Sequence, residues 1–206
     1  MMMNKVIDTI VFDLGAVLID WNPDYLYRKI IEDENERQWF FDNVCTAEWN
    51  EEQDAGRSLK EATEELVKRF PFHEDNIRSY YGRWEEMLNG PIDGTLELFR
   101  MLKQKNSFRF YALTNWSAET FPIALGKYDF LHWFDGRHVS GEEKTRKPFL
   151  HFYESLLDKY SIKPDNALFI DDNIRNIAPA QSLGMHTIHF TSPESLALKL
   201  HELKLL

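Results

Sequence analysis

The sequence has 206 residues, enough for one domain or for one domain with a sizeable insertion. Hydrophobic residues make up 43% and charged residues 28%, which excludes a disordered chain, and no apolar stretch is long enough to span a bilayer. The formal charge of -10 argues against a nucleic acid partner, and the single cysteine excludes an internal disulfide. Residues 1–8 lack the long apolar segment of a signal peptide, which predicts a cytoplasmic protein.

The first 88 residues predict one strand followed by helices. Residues 7–12 are rich in β-branched side chains and Gly15 follows closely, which favours a buried strand ending in a tight turn. Asn22 and Pro23 favour a helix start, and that helix is predicted to run to about residue 33. Further helices are predicted at residues 36–44, 58–70 and 74–87.

The stretch from residue 21 to residue 88 is therefore predicted to be an all-helical insertion, with core segments at residues 1–20 and 89–206. Its aromatic side chains are numerous enough to form a separate small core. The polar segment at residues 48–57 is interpreted either as a loop that reaches a substrate or as a solvated turn.

After residues 89–91 the pattern alternates between helices and strands. The predicted strands are residues 108–113, 137–140, 167–170 and 185–190, and the predicted helices are residues 95–104, 148–160, 174–183 and a last one from 193. Such alternation predicts right-handed crossovers and an α/β fold, with a Rossmann-like parallel sheet flanked by helices. In such sheets ligands bind at the carboxyl ends of the strands.

The residues that follow the predicted strands have polar or charged side chains suited to catalysis and ligand binding. They are Asp13, then Thr114 and Asn115, then Lys147, then Asp171 and Asp172. Together they can hold a divalent cation and a phosphate. Taken alone, Thr114 and Asn115 equally suit a helix cap and Lys147 a surface position. The adjacent aspartates are harder to explain without function, because two carboxylates at the mouth of a strand repel each other unless a cation compensates.

Four segments, FDLGAVLIDW, ALTNWS, RKP and FIDDN, occur in this order and resemble the motifs of the haloacid dehalogenase (HAD) superfamily of hydrolases. The resemblance covers essentially the whole chain and implies a HAD-like core with a helical cap at residues 21–88. It implies that Asp13 attacks phosphorus and forms an aspartyl-phosphate, which water then hydrolyses. Thr114 would hold a phosphoryl oxygen with Asn115 in support, and Lys147 would neutralise charge in the transition state.

The same resemblance implies a magnesium cofactor. Mg²⁺ would take a side-chain oxygen of Asp13, the backbone carbonyl of Gly15 and the carboxylate of Asp172. Asp171 would act through bound water or by orienting Lys147, although the two aspartates can exchange these roles. The expected partner is a small phosphorylated metabolite, with no nucleic acid and no membrane, and the expected state is a monomer or weak homodimer.

One position departs from the family. Many of its phosphatases carry a second Asp two residues after the nucleophile as general acid and base, a contribution of about 10²- to 10⁴-fold, and Gly15 occupies that position here. One interpretation is a phosphatase for an acidic leaving group, such as a hexose 1-phosphate, since some sugar-1-phosphate phosphatases of the family show a similar Asp-Leu-Gly opening. Alternatively, Asp20 or a cap carboxylate replaces the acid.

Two further interpretations change the class of protein. A 2-haloacid dehalogenase also lacks this acid, but it needs no magnesium, so the aspartate pair argues against it. A non-catalytic binding or regulatory protein is disfavoured because Asp13, Thr114, Lys147 and Asp172 are retained together.

Overall fold

The computed structural model describes residues 7–206, so most of the segment on which the signal-peptide expectation rests, residues 1–6, lies outside the described residues. The strands in chain order are β1 (Thr9–Phe12), β2 (Ile19–Trp21), β3 (Leu88–Pro91), β4 (Arg109–Thr114), β5 (Gly136–Val139), β6 (Ala167–Asp171) and β7 (His186–His189). Five of them form a parallel sheet in the order β5-β4-β1-β6-β7. The predicted parallel sheet is therefore confirmed.

Eleven α-helices occur in the described residues. They are α1 (Asp24–Tyr27), α2 (Glu34–Asn43), α3 (Ala47–Asp54), α4 (Leu59–Arg69), α5 (Glu74–Gly82), α6 (Asp93–Gln104), α7 (Phe121–Lys127), α8 (Ser140–Glu143), α9 (Leu150–Lys159), α10 (Ile174–Ser182) and α11 (Pro193–Glu202). From residue 7 to residue 206, no helix is both long enough and apolar enough to cross a membrane.

Strand β1 lies at the centre of the sheet, and its side chains alternate between two apolar layers. Ile10 and Phe12 belong to one layer, where the rings of Phe12 and Phe99 of α6 are 5.3 Å apart. Val11 belongs to the opposite layer, with side chains of α9 and α10. Because both faces are covered, β1 is entirely buried, and the chain emerges from the core at its carboxyl end.

The helical segment between β2 and β3 is joined to the sheet through a short ribbon that the sequence did not predict. Strands β2 and β3 pair antiparallel, with Asp20 opposite Gly90, so the chain leaves and returns at the same place. Between them, residues 22–87 contain helices and turns and no strand. Their aromatic side chains join the main core cluster instead of forming a separate core, for example through the Trp84 and Trp116 rings, 5.6 Å apart.

Two helix predictions in this segment were wrong in extent, and one predicted loop or turn is a helix. The first helix ends at Tyr27, because Asp33 caps α2 by accepting from the Glu36 N–H and Arg37 binds the carbonyl of Ile31. The polar segment at residues 48–57 is mostly helix α3, capped by Thr46. The helix predicted at residues 74–87 ends at Gly82 and is followed by a 3₁₀ turn. By contrast, α4 begins after Ser58, as predicted.

Candidate active site

The carboxyl ends of β1 and β6 bring together a lysine and two aspartates. The Lys147 Nζ lies 2.9 Å from Oδ1 of Asp13 and 2.7 Å from Oδ2 of Asp171. Parallel register causes this meeting, since Phe12 pairs with Ile170 and the next residue of each strand is an aspartate. The side chain of Lys147 is only 1% exposed, so its charge depends on these two partners.

Asp171 is held from several sides. Its Oδ1 accepts hydrogen bonds from the Asn173 backbone N–H at 2.8 Å and from the Asn176 side chain at 2.9 Å, while Oδ2 binds Lys147. Asp172, in contrast, is half-buried and lies in the cavity wall. The two adjacent carboxylates therefore have different surroundings, with Asp171 fixed inside the protein and Asp172 facing the cavity.

Asn115 holds the backbone of Lys147. Its Oδ1 accepts from the Lys147 N–H at 2.8 Å and its Nδ2 donates to the Lys147 carbonyl at 3.0 Å. Both ends of the amide are thus used to position the lysine. Thr114, the last residue of β4, is 1% exposed, and its hydroxyl has no hydrogen-bond partner among the described residues. A buried hydroxyl without a partner loses about 1–3 kcal/mol, which a ligand oxygen would restore.

When all four groups are ionised, three carboxylates and one ammonium give the cluster two excess negative charges. One oxygen from each of Asp13, Asp171 and Asp172 lies within 4.8 Å of the others, an all-oxygen donor set that fits a hard divalent cation. Burial raises the pKa of Asp13 to about 8; Lys147 opposes this rise, and Asp171 and Asp172 add to it. Burial opposes the charge on Lys147, but Asp13 and Asp171 outweigh it and raise the pKa of the lysine.

A cavity of about 840 Å³ opens over this cluster. Its wall includes Asp13, Lys147 and Asp172 from the sheet side, and α3 supplies Asn50, Glu51 and Asp54 from the helical side. A smaller cavity of about 70 Å³ adjoins Gly15 and is lined by the aromatic side chains of Trp21, Tyr81, Trp84 and Trp116. The candidate site therefore lies between the sheet edge and the helical segment.

Helix α3 is tied to the sheet side by ion pairs that sequence reasoning missed. Glu51 lies 2.9 Å from Arg146 and 2.8 Å from Arg175. The side chains of Glu51 and Arg146 are 21% and 13% exposed, so this pair is better shielded from water than an ordinary surface pair. Asn176 was missed as well, although its place in the predicted helix, five residues after Asp171, was a signal in the sequence.

Among the predicted residues, neither Thr114, whose hydroxyl is buried, nor the proposed acid Asp20 lies in either cavity wall. Asp20 has other partners. Its carboxylate accepts from the Tyr25 hydroxyl at 2.8 Å and from the Asn89 side chain at 2.9 Å. These contacts tie β2 to β3 and to α1. Asp20 is therefore held by structural contacts and does not face either cavity.

The parallel α/β fold and the Asp–Lys–Asp cluster at its strand ends agree with comparisons to known hydrolases. Residues 7–184 match the family described as haloacid dehalogenase-like hydrolase, and the chain belongs to this family. It is 26% identical over 194 residues to the sesquiterpene phosphatase astK of Aspergillus oryzae, covering 94% of both chains. It is also 27% identical over 201 residues to the drimenol cyclase drtB of Aspergillus calidoustus. That match includes 95% of this chain but only 36% of the length of drtB.

A solved structure shows the same fold. A HAD family enzyme of Bacteroides thetaiotaomicron, in complex with magnesium and inorganic phosphate, superposes with a TM-score of 0.66 at 22% identity, covering 90% of this chain and 95% of that one. The predicted family and fold class are confirmed by these comparisons.

Proposed function

We propose that this protein is a magnesium-dependent phosphatase that acts through an aspartyl-phosphate on a small phosphorylated metabolite. The observation that carries the proposal is the buried Lys147 ammonium between Asp13 and Asp171, with Asp172 at the cavity wall. The similarity to a sesquiterpene phosphatase supports it, and so does the magnesium and phosphate bound by the Bacteroides enzyme.

The chain's own residues supply the nucleophile and its surroundings. Oδ1 of Asp13 is fixed by the Leu14 N–H at 2.7 Å and by Lys147. A carboxylate oxygen of Asp13 attacks phosphorus, and the bond to the leaving oxygen breaks with its electron pair. Lys147 balances the negative charge of the transferring group, and the unpartnered Thr114 hydroxyl donates to a phosphoryl oxygen. Water then attacks the same phosphorus and releases Asp13 and phosphate.

The donor set described above fits a magnesium ion. Asp13, the Gly15 carbonyl and Asp172 would hold it directly, because the oxygens of Asp171 are already occupied by Lys147, Asn173 and Asn176. When bound, the cation supplies the positive charge that the cluster lacks and binds the phosphoryl group.

We assign the helical segment at residues 21–88 the role of a cap. Its helix α3 lies across the cavity from Asp13 and is held there by the ion pairs of Glu51. A cover in this position excludes water while the aspartyl-phosphate forms, and it contacts the part of the substrate beyond the phosphate.

The leaving group is proposed to be one of two kinds. A hexose 1-phosphate suits a site without an acid at Gly15, because its anomeric leaving group is comparatively acidic. The aromatic walls beside Gly15 favour an apolar group as the second candidate, in line with the sesquiterpene named for the Aspergillus oryzae relative. The monomer or weak homodimer expected from the sequence remains a prediction.

An assay of phosphate release tests the proposed phosphatase function. The purified protein should release phosphate from para-nitrophenyl phosphate with magnesium and lose this activity in EDTA. Asp13→Asn should be inactive, whereas Asp75→Asn, at an exposed aspartate outside both cavities, should match the wild type. Hexose 1-phosphates, isoprenyl monophosphates and 2-haloacids are then compared. Halide release in EDTA would instead support the dehalogenase alternative.

A further inference from the structure

The family's acid is missing at Gly15, and the structure leaves the space beside this residue open. A Cβ atom built at Gly15 would meet nothing within 4 Å. No neighbouring backbone has moved in to occupy the place of a side chain. A carboxyl group from another part of the chain can therefore donate a proton to a leaving group at this position.

Asp54, at the end of α3, lies in the walls of both cavities. It shares the larger cavity with Asp13 and Lys147 and the smaller one with Gly15. Of the residues that line both cavities, it is the only carboxylate; the others are Trp21, Asn50 and Asn115. The remaining carboxylates of the larger cavity, such as Asp24 and Glu48, do not reach the space beside Gly15.

The position of Asp54 is fixed by contacts with both sides of the site. Its backbone carbonyl accepts a hydrogen bond from the Ser140 hydroxyl at the sheet edge. Its Oδ2 accepts from the Asn50 side chain at 3.1 Å. Together with the ion pairs of Glu51, these contacts hold the carboxyl group at the junction of the two cavities.

Resting on the proposed phosphatase function, we infer that Asp54 is the general acid and base of this enzyme, in place of the residue missing at Gly15. As Asp13 attacks, the electron pair of the breaking phosphorus–oxygen bond moves to the leaving oxygen, which takes the proton of Asp54. The Asp54 carboxylate then takes a proton from the water that attacks the aspartyl-phosphate. Phosphate and the free Asp13 carboxylate result, and Asp54 is again protonated.

The surroundings of Asp54 suit both roles near neutral pH. Burial and then the charge of Glu51 raise its pKa to about 7, although the Ser117 backbone N–H and Arg146 act in the opposite direction. Tyr80 and Tyr81 face it from α5, and burial raises the pKa of both phenols, so they stay neutral. A group that titrates near the working pH is an efficient proton donor and acceptor.

Two substrates that differ in leaving group test the inference. Para-nitrophenyl phosphate has an acidic leaving group, and para-nitrobenzyl phosphate has a similar ring but a basic alkoxide. The ratio kcat/KM reports aspartyl-phosphate formation alone. Asp54→Asn should lower kcat/KM about 10²-fold or more for the benzyl ester and less than about tenfold for the phenyl ester. Glu52→Gln, at an exposed neighbour on α3, should change neither.

Two further measurements separate chemistry from folding. In the wild type saturated with magnesium, which keeps Asp13 ionised, kcat/KM for the benzyl ester should fall as pH rises through about 7 and Asp54 loses its proton. Adding Gly15→Asp to Asp54→Asn should restore benzyl ester turnover, because the space is open.

Equal losses on both esters, no loss, or a wild-type benzyl profile without the alkaline limb would overturn the assignment of Asp54. If Asp13→Asn keeps phosphatase activity, or the wild type releases no phosphate, the proposed function fails and this inference fails with it.

Discussion

Lys147 depends on its neighbours for both its charge and its position. A lysine with a 1% exposed side chain keeps its proton because Asp13 and Asp171 lie within 3 Å, and it reaches them because Asn115 holds its backbone. An asparagine after a strand therefore has a function that does not require contact with the substrate. Its amide sets the direction of the lysine to which the proposed mechanism assigns contact with the phosphoryl group.

We expect Asn115→Ala to lower kcat by roughly 10²-fold while changing KM little, because a small displacement of a catalytic group has an effect of this size. The free energy of unfolding should fall by about 1–3 kcal/mol, since the Lys147 N–H and carbonyl lose their partners. Steady-state kinetics and urea unfolding measure the two effects. Asn35→Ala, at an exposed position on α2, is the matched control. An unchanged kcat would contradict the positioning role.

At the scale of elements, β5 and α9 enclose a histidine that makes folding sensitive to acid. His138 of β5 is fully buried, its ring stacks on Phe152 at 4.9 Å, and its Nε2 lies 2.8 Å from the Ser155 hydroxyl. Burial is the main cause that lowers its pKa to about 4, although Glu143 acts in the opposite direction. Below about pH 6.5 the His138 side chain is therefore protonated in the unfolded chain but remains neutral in the folded chain.

The free energy of unfolding should consequently fall as pH drops from about 6.5 towards 4. Between pH 7.5 and pH 5, His138 alone should account for a loss of about 2 kcal/mol. Urea unfolding of His138→Phe, which keeps a ring against Phe152, should show a smaller loss over this range. His151→Gln, at an exposed histidine on α9, should keep the wild-type slope. Equal slopes in the wild type and His138→Phe would show that His138 is protonated in the folded state.

The elements of the sheet region could be predicted because each carries its own signal. A short apolar strand, a turn residue and a helix with one apolar face recur from residue 95 onwards, and their bounds agree with the structure within a few residues. Strands β2 and β3 carry no such signal, because three or four residues including Gly90 and Pro91 become strands only through pairing with each other. Helix α3 was missed because its polar sequence has little helical periodicity.

The residues of the candidate site likewise fall into those that the sequence predicts and those that it does not. Asp13, Asp171 and Asp172 lie at the ends of β1 and β6, and a parallel sheet brings strand ends together whatever the details of packing. Lys147 comes after α8 and is held at this edge by Asn115. Glu51 and Asp54 reach the site only because α3 packs across the cavity. That arrangement depends on contacts between residues distant in sequence, such as Glu51 with Arg146 and Arg175. Sequence patterns along one strand or helix contain no information about such contacts.

For the whole molecule, the distribution of charge opposes the binding of a phosphate ester. The chain has a formal charge of -10, and carboxylates outnumber cations in the wall of the larger cavity, where the basic residues are Lys147 and Arg175. When fully ionised, the buried cluster adds two unbalanced negative charges. Folding holds these carboxylates together against their repulsion, so a cation that binds the folded chain and not the unfolded one should increase stability.

We therefore expect magnesium at about 100 times its dissociation constant to stabilise the protein by about 2.7 kcal/mol, which corresponds to a rise in Tm of about 5–10 °C for a chain of this length. Thermal unfolding with magnesium, with EDTA, and with NaCl at matched ionic strength measures the rise. Asp172→Asn should unfold at a higher Tm than the wild type in EDTA, because a like charge beside Asp171 is removed, yet it should respond weakly to magnesium. An equal response of both proteins would show that the ion binds elsewhere, and a wild-type Tm independent of magnesium would contradict a metal site at this cluster.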